Sequence, residues 1–242
     1  MIGNVRHQRR AVNSIPYNAS VQRTAKRVLA EISGTISSVS TERTIVSSAI
    51  ALLSRYGVVD TWYYDCPALV LLGTRTCLSI SGRDYQPSDE PVGEANLVTI
   101  DLSPKVGTCW GDCARSFVIE HGHVVQSPSS SEFQRGIETI RSMHASMCHF
   151  ATPDTRFCDL YRFANELIAA AGFENLDFLD NIGHSVVTDL NDRLFINKDT
   201  IQTLGSVECF TFEPHIRELG GMWGFKHEEI YYFDEFGQPK AL

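Results

Sequence analysis

Residues 98–117, VTIDLSPKVGTCWGDCARSF, constrain the fold and the chemistry of this chain more than any other segment. Apolar and polar side chains alternate over residues 98–102, which is typical of a half-buried β-strand. A turn signal containing Pro, Lys and Gly follows, and a second extended run occupies residues 109–118. Paired as a hairpin, the two runs bring the carboxylates of Asp101 and Asp112 towards each other.

Two acids on paired strands must be explained, because an unpaired buried carboxylate is too costly to tolerate. A bound cation would compensate both charges, and this favours a metal site at Asp101 and Asp112. The alternative is an exposed Asp101 together with an Asp112 that forms an ion pair with nearby Arg115. This segment alone leaves both interpretations open.

Length and charge exclude several classes of protein. A chain of 242 residues can bury a substantial core, and its net charge of −8 argues against a nucleic-acid partner. No apolar run approaches the ~20 residues of a membrane span, and no apolar segment near the N-terminus predicts secretion. The odd number of cysteines, seven, indicates reduced thiols. We therefore expect a cytoplasmic protein that binds neither nucleic acid nor a membrane; a homodimer stays open.

Hydrophobic periodicity predicts the order of the elements. Residues 1–19 lack periodicity, so we expect a poorly ordered lead-in there and a single domain over residues 20–242. Four helices are predicted, over residues 21–32, 42–56, 133–147 and 153–171. Extended segments are predicted at residues 62–66 and 68–72, and a surface loop near the site at residues 79–91.

The order of elements recurs along the chain. Two helices precede strands in the first half, and two further helices precede strands in the second half. This two-fold repeat in the order of elements predicts two similar α+β halves that face each other, with a site between them.

Three more candidate ligands stand on or beside predicted strands of the second half. They are His184 in NIGHSVV, Glu213 in FTFEPHI and Glu228 in FKHEEIYYF. Taken singly, each of these residues is more often structural or exposed than functional. With Asp101 and Asp112, however, they form a set of four carboxylates and one imidazole. That set suits a pair of divalent first-row cations, with Mn, Fe, Co and Zn all open. Two such ions about 3.5 Å apart support hydrolytic chemistry at neutral pH.

The same segments also resemble a known family. IDLSP…WGDCARSF resembles an Asp-rich strand followed by Asp-x-x-Arg-x-Phe, and the three later segments resemble its Gly-His, Glu-Pro and final Glu-Asp motifs. This is the pita-bread fold family of methionine aminopeptidases, Xaa-Pro peptidases and creatinase. The resemblance covers residues 20–240 and implies an α+β pita-bread fold, with two pseudo-symmetric halves around a curved, mostly antiparallel sheet. The separate N-terminal domain of prolidases and creatinase is not expected here.

The resemblance also implies roles for the five candidate ligands. Asp101 would hold one of two metal ions, and His184 and Glu213 would hold the other. Asp112 and Glu228 would bridge them, since the first acid of the Glu-Glu pair aligns without a gap to the family's last ligand. Glu213 would also be the catalytic residue that moves a proton to or from the attacking water.

Two departures from the family concern its substrate histidines. The loop before the first metal ligand contains no His, and Asp84 or Tyr85 stands nearest that place. The second family His lies seven residues after the metal ligand His184, where this chain has Asn191. His215, beside a ligand, is a candidate substitute. We therefore expect Asp84, Tyr85, Asn191 and His215 to contact the substrate.

Three functional hypotheses follow. The first is a dinuclear metallohydrolase of aminopeptidase type that cleaves an amide next to a free amino or imino terminus. The second keeps the metals but takes a non-peptide, small-molecule substrate, as creatinase or a biosynthetic C–N hydrolase would, because the family's substrate histidines are missing. The third is a non-catalytic binding module, which the four clustered acids disfavour because they repel one another without a cation.

Overall fold

The structure is a computed structural model, and it describes residues 14–242. Four α-helices are present in this part of the chain: α1 (Ile15–Ser33), α2 (Glu42–Arg55), α3 (Ser131–Phe150) and α4 (Phe157–Ala170). The strands of the same part are β1 (Asp60–Thr61), β2 (Ala68–Leu72), β3 (Ala95–Leu102), β4 (Pro104–Val106), β5 (Cys109–Trp110), β6 (Cys113–Glu120), β7 (His123–Val125), β8 (Phe173–Asn175), β9 (Phe210–Phe212), β10 (His215–Glu218), β11 (Gly224–Lys226), β12 (Glu229–Phe233) and β13 (Pro239–Ala241).

The predicted hairpin around Asp101 and Asp112 is confirmed. Strands β3 and β6 pair antiparallel, with Asp101 opposite Ala114 and Leu102 opposite Cys113. The short strands β4 and β5 pair with each other between them. Asp112 directly precedes β6, so both acids lie at the same end of the strand pair.

The first half of the molecule packs helices α1 and α2 on a four-stranded antiparallel sheet with strand order β2-β3-β6-β7. The alternation in β3 assigns its two faces. Val98, Ile100 and Leu102 join the core beneath the helices, while Thr99 and Asp101 line a cavity on the opposite face. The period-two pattern of this strand therefore separates the core from the site.

The second half repeats this arrangement with helices α3 and α4. Two three-stranded antiparallel sheets, β13-β12-β9 and β11-β10-β8, share one apolar core with these helices. A bridge between Arg115 and His227 and the hydrogen bond from Glu228 N to Ala114 O join the two halves. The predicted pair of α+β halves is confirmed.

Three predicted boundaries are wrong for local reasons. Helix α1 begins at Ile15, so the end of the expected lead-in is helical; residues 1–13 lie outside the described residues. Residues 62–66 form a turn, with Tyr64 and Asp65 at positive φ, and not a strand. Helix α4 begins at Phe157 and not at residue 153, because Thr152 and Thr155 close a turn of their own.

The seven cysteines all lie among the described residues and are free thiols, as expected. Within residues 14–242, no helix combines the length and the apolarity that crossing a bilayer requires.

Helix α2 is anchored by Glu42, whose carboxylate is completely buried. Its oxygens accept hydrogen bonds from Leu72 N at 3.0 Å, Arg75 Nε at 2.7 Å and Ser88 N at 2.8 Å. This one side chain therefore fixes the end of β2 and the 79–91 loop, which borders the cavity, to the helix.

We expect Glu42→Ala to lower the free energy of unfolding by about 3 kcal/mol or more, because it leaves the buried amide of Leu72, the part-buried amide of Ser88 and Arg75 Nε without their acceptor. Urea unfolding followed by circular dichroism measures the change. The matched control is Glu90→Ala, an exposed position where we expect a change within about 0.5 kcal/mol. Equal stabilities for the two variants would contradict this role of Glu42.

Buried His144 on α3 predicts a dependence of stability on pH. Its ring lies 2.8 Å from Tyr231 Oη and 3.2 Å from His227 O. Burial, aided by the nearby charge of His227, lowers the pKa of His144 to about 3, so the folded chain keeps this ring neutral.

The unfolded chain takes up a proton at this ring near pH 6.5, so the free energy of unfolding falls as the pH drops below that value. The loss amounts to about 1.4 kcal/mol per pH unit until the folded pKa is reached. The His144→Gln variant lacks this pH-dependent loss. Urea titrations at pH 7 and pH 5 should show that the difference in free energy of unfolding between wild type and variant is about 2 kcal/mol smaller at pH 5. A difference independent of pH would refute the assignment.

Candidate metal centre

A cavity of about 380 Å³ lies between the two halves. All five predicted ligands line it, two from the first half and three from the second: Asp101, Asp112, His184, Glu213 and Glu228. Residues more than 120 positions apart in the sequence thus share one wall, as the paired halves require.

Asp112 is fixed through its backbone by Gln22 of helix α1. Gln22 Nε2 donates to Asp112 O at 2.8 Å, and Asp112 N donates to Gln22 Oε1 at 2.7 Å. Both residues are buried. Because this paired hydrogen bond occupies the main chain, the Asp112 carboxylate is free to face the cavity.

His184 presents one ring nitrogen to the acids. Its Nδ1 donates to the carbonyl oxygen of Ser185 at 3.0 Å, so Nε2 is the ring nitrogen that faces the acids. Nε2 lies 3.4 Å from Asp112 Oδ2 and 3.8 Å from Glu213 Oε1. The preceding Gly183 has φ +143°, and a Cβ there would lie 2.3 Å from Thr211 O, so only glycine allows this close packing.

Asp112, His184 and Glu228 converge most closely. Each offers one ligand atom, and these atoms lie within 4.8 Å of one another. Three buried side-chain N or O atoms in residues 14–242 lack a hydrogen-bond partner, and Asp112 Oδ2 and Glu228 Oε1 are two of them. A buried carboxylate oxygen normally has a partner, so this pair fits a divalent cation.

Electrostatics at the same point agree with this fit. Burial raises the pKa of Asp112 to about 6 in spite of the neighbouring His184. Burial and the charge of Asp112 also raise the pKa of Glu228 well above its usual range. A bound cation would favour the ionised form of both groups.

Asp101 and Glu213 have a different partner, the ammonium group of Lys226. Lys226 Nζ lies 2.6 Å from Asp101 Oδ2, 3.2 Å from Glu213 Oε2 and 3.9 Å from Glu228 Oε2. Burial alone would raise the pKa of Glu213, but the positive charges of Lys226 and His184 outweigh it and lower that pKa. Lys226 was not predicted, although its position two residues before Glu228 was a usable signal.

The neighbouring acid, Glu229, points away from the cavity. It forms ion pairs with Arg115 and with Lys26, the latter at 2.8 Å. Although burial opposes ionisation, the nearby His227 ring and the charge of Arg115 lower the pKa of Glu229 to about 2. Choosing Glu228 as the ligand agrees with this geometry, and the alternative pairing of Arg115 with Asp112 is wrong.

Two of the predicted substrate residues lie in the cavity wall. Asp84 is exposed at the mouth. His215 lines the cavity with its Nε2 2.7 Å from Thr76 O, and burial lowers the pKa of His215 to about 4. This ring is therefore neutral and partly engaged.

The structure does not place the other two predicted substrate residues in the cavity wall. Tyr85 is buried outside the cavity lining, and its hydroxyl bonds Val70 O at 2.8 Å and Val70 N at 3.1 Å. Asn191 is exposed and donates to Asp189 Oδ1 at 3.0 Å. In each case a local hydrogen bond holds the side chain away from the site.

Besides Lys226, sequence reasoning missed the cavity residues Trp62 and Arg193. The Trp62 ring lies 5.6 Å from the His184 ring in an edge-on contact. Arg193 Cζ lies 5.5 Å from the Trp62 ring and 5.1 Å from the Phe195 ring. Arg193 Nε donates to Leu190 O at 3.2 Å, and among residues 14–242 the guanidinium has no carboxylate within ion-pair distance.

The sequence model of metallopeptidase family M24 matches residues 19–235. The chain belongs to this family. The M24 family uses divalent metals, in agreement with the fit of the site. No curated protein sequence matches the chain significantly.

Solved structures of peptidases share the fold. The X-Pro aminopeptidase from Thermotoga maritima MSB8 superposes with a TM-score of 0.78 at 18% identity, over 94% of this chain and 60% of that one. The prolidase from Pyrococcus horikoshii OT3 superposes with a TM-score of 0.78 at 18% identity, over 96% of this chain and 62% of the prolidase. Zinc-substituted E. coli aminopeptidase P in complex with product superposes with a TM-score of 0.77 at 12% identity, over 96% of this chain and 55% of the aminopeptidase. The chain thus spans about three fifths of these relatives, and the predicted α+β pita-bread fold is confirmed.

We expect Co²⁺ or Mn²⁺ to stabilise the metal-free chain against heat by binding the folded state alone. Asp112→Asn and His184→Ala should weaken binding at least tenfold by calorimetry and remove most of the shift in melting temperature, because each deletes a ligand. The control is His149→Ala, which is exposed on α3. Unchanged metal binding in both ligand variants would contradict the assignment.

Proposed function

We propose that this protein is a metal-dependent hydrolase of aminopeptidase type, which cleaves an amide C–N bond near a free amino or imino terminus. One observation carries the proposal: Asp112, His184 and Glu228 converge in a cavity with carboxylate oxygens that lack hydrogen-bond partners. Membership of the M24 family supports it, as do the peptidase structures that share the fold.

The five-residue ligand set is proposed to hold two divalent ions, with Mn, Co, Fe and Zn as the candidate metals. Asp101 would hold one ion, His184 and Glu213 would hold the other, and Asp112 and Glu228 would contribute to both. When bound, such ions polarise a substrate carbonyl and lower the pKa of a coordinated water to near neutrality.

Glu213 is proposed to move the proton of the attacking water. Its carboxylate lines the cavity, and its lowered pKa keeps it ionised and able to accept a proton. Trp62 supplies an apolar wall that excludes water, and Arg193 and exposed Asp84 give the cavity one positive and one negative group. A short peptide with free termini matches this pattern of charge.

A second candidate keeps the chemistry and replaces the peptide by a non-peptide amide, as in a creatinase-like or biosynthetic enzyme. The observation that favours it concerns the residues that stand where the peptidases have their substrate histidines. Neither Tyr85 nor Asn191 reaches the cavity, and His215 is bound to Thr76 O. A non-catalytic binding module is disfavoured, since a scaffold has no use for four converging acids.

The predicted cellular setting belongs to the same proposal. We expect a cytoplasmic enzyme whose partner is a peptide or small-molecule amide, without nucleic acid or membrane. Formation of a homodimer stays a prediction that light scattering of the purified chain can check.

Activity of the cobalt- or manganese-loaded chain on Met-, Pro- and Xaa-Pro-peptides, together with non-peptide amides, tests the proposal. We expect Glu213→Gln to lower kcat by about 10² or more, as loss of a proton-transfer group does, while Glu235→Gln at an exposed position leaves it unchanged. Hydrolysis of non-peptide amides alone would select the second candidate. A loaded protein that hydrolyses nothing on either panel would overturn both.

A further inference from the structure

Lys226 is the one lysine whose ammonium group enters the described carboxylate cluster. Only 18% of its side chain is exposed. Its Nζ contacts Asp101 at 2.6 Å and Glu213 at 3.2 Å, and it approaches Glu228 at 3.9 Å. Three of the five predicted metal ligands therefore surround an organic cation that belongs to the chain itself.

The rest of the cluster is arranged differently. Asp112 and His184 make no ion pair with Lys226, and His184 Nε2 lies 3.4 Å from Asp112 Oδ2. Their ligand atoms converge with one oxygen of Glu228 within 4.8 Å. The cluster thus has two unlike parts, one already neutralised by an ammonium and one with unpartnered oxygens.

We propose that Lys226 is a resident cation that competes with the second metal ion. The first ion binds at Asp112, His184 and Glu228, where the ammonium group does not have to move. The second ion binds at Asp101, the ligand that remains, only when the ammonium group withdraws. This inference rests on the metal centre of the proposed function and adds an order of filling to it.

The chemistry of lysine suits such a role. An ammonium group is a compact point charge with three donors on a flexible four-carbon stem, so it can satisfy several carboxylates and then swing aside. An ammonium group and a metal ion that share Asp101 repel each other strongly in a site with little water. The second ion therefore binds more weakly than it would in a chain without the ammonium.

The test titrates the metal-free full-length chain with Co²⁺ alone. Calorimetry, with bound metal counted by elemental analysis after dialysis, should give wild type one tight ion and a second at least tenfold weaker. Lys226→Met keeps most of the stem and removes the charge. We expect it to bind its second ion at least tenfold more tightly than wild type does, with the first step unchanged.

Lys240→Met is the matched control, because Lys240 is half exposed and lies near Asp234, 3.6 Å away. It should titrate as wild type. Without metal, Lys226→Met should also melt at a lower temperature than wild type and gain more from Co²⁺, because its acids lack their cation. Circular dichroism checks the fold, and Lys226→Gln, which keeps a donor for Asp101, replaces the Met variant if that fails to fold.

Equal affinity for the second ion in wild type and in the folded variant would overturn the inference. Failure of both chains to bind any ion would overturn the inference and the proposed function together. The expected change in the second step, in a loaded enzyme that hydrolyses no amide, would support the inference and remove only the proposed activity.

Discussion

Four carboxylates brought into one cavity repel one another, and the two halves of this molecule can close around them only if positive charge lies between. The described chain supplies part of that charge through Lys226, against Asp101 and Glu213. No such charge lies at Asp112 Oδ2 and Glu228 Oε1, which are buried without a hydrogen-bond partner. This part of the cluster has the composition of a site that a divalent cation would complete.

The backbone geometry that creates this constraint is itself well secured. Antiparallel register places Asp101 opposite Ala114, and the hydrogen bond of Ala114 O with Glu228 N brings in the second half. Gln22 holds the Asp112 main chain from helix α1. Ligands distant in sequence therefore keep fixed positions relative to one another before any ion binds, which is what a preorganised centre requires.

Sequence patterns predicted the parts of this architecture that obey a period. Alternation in β3 gave both the strand and the face of Asp101, and helical periodicity located α2 and the body of α3. What the patterns could not give is set by tertiary hydrogen bonds. Tyr85 is drawn to the Val70 backbone and Asn191 to Asp189, so residues near the expected place in the sequence lie outside the cavity. Trp62 reaches the site from a turn in which Tyr64 and Asp65 have positive φ, and no periodicity in the sequence predicts such a turn.

In the Glu228–Glu229 pair, one acid lines the cavity and its neighbour forms ion pairs that support the fold. Successive side chains of an extended segment point to opposite sides, so Glu228 faces the cavity while Glu229 faces Arg115 and Lys26. Arg115 also donates to Glu228 O at 2.7 Å, which ties the ligand's own main chain to β6. Removal of the Glu229 side chain would therefore delete none of the cavity acids, but it would leave the Arg115 guanidinium, which positions the Glu228 main chain, without its carboxylate partner. A one-residue shift of register would exchange the two acids and turn Glu229, the partner of Arg115, towards the cavity in place of Glu228. The pairing of β9 with β12 is therefore as much a determinant of the site as the acids themselves.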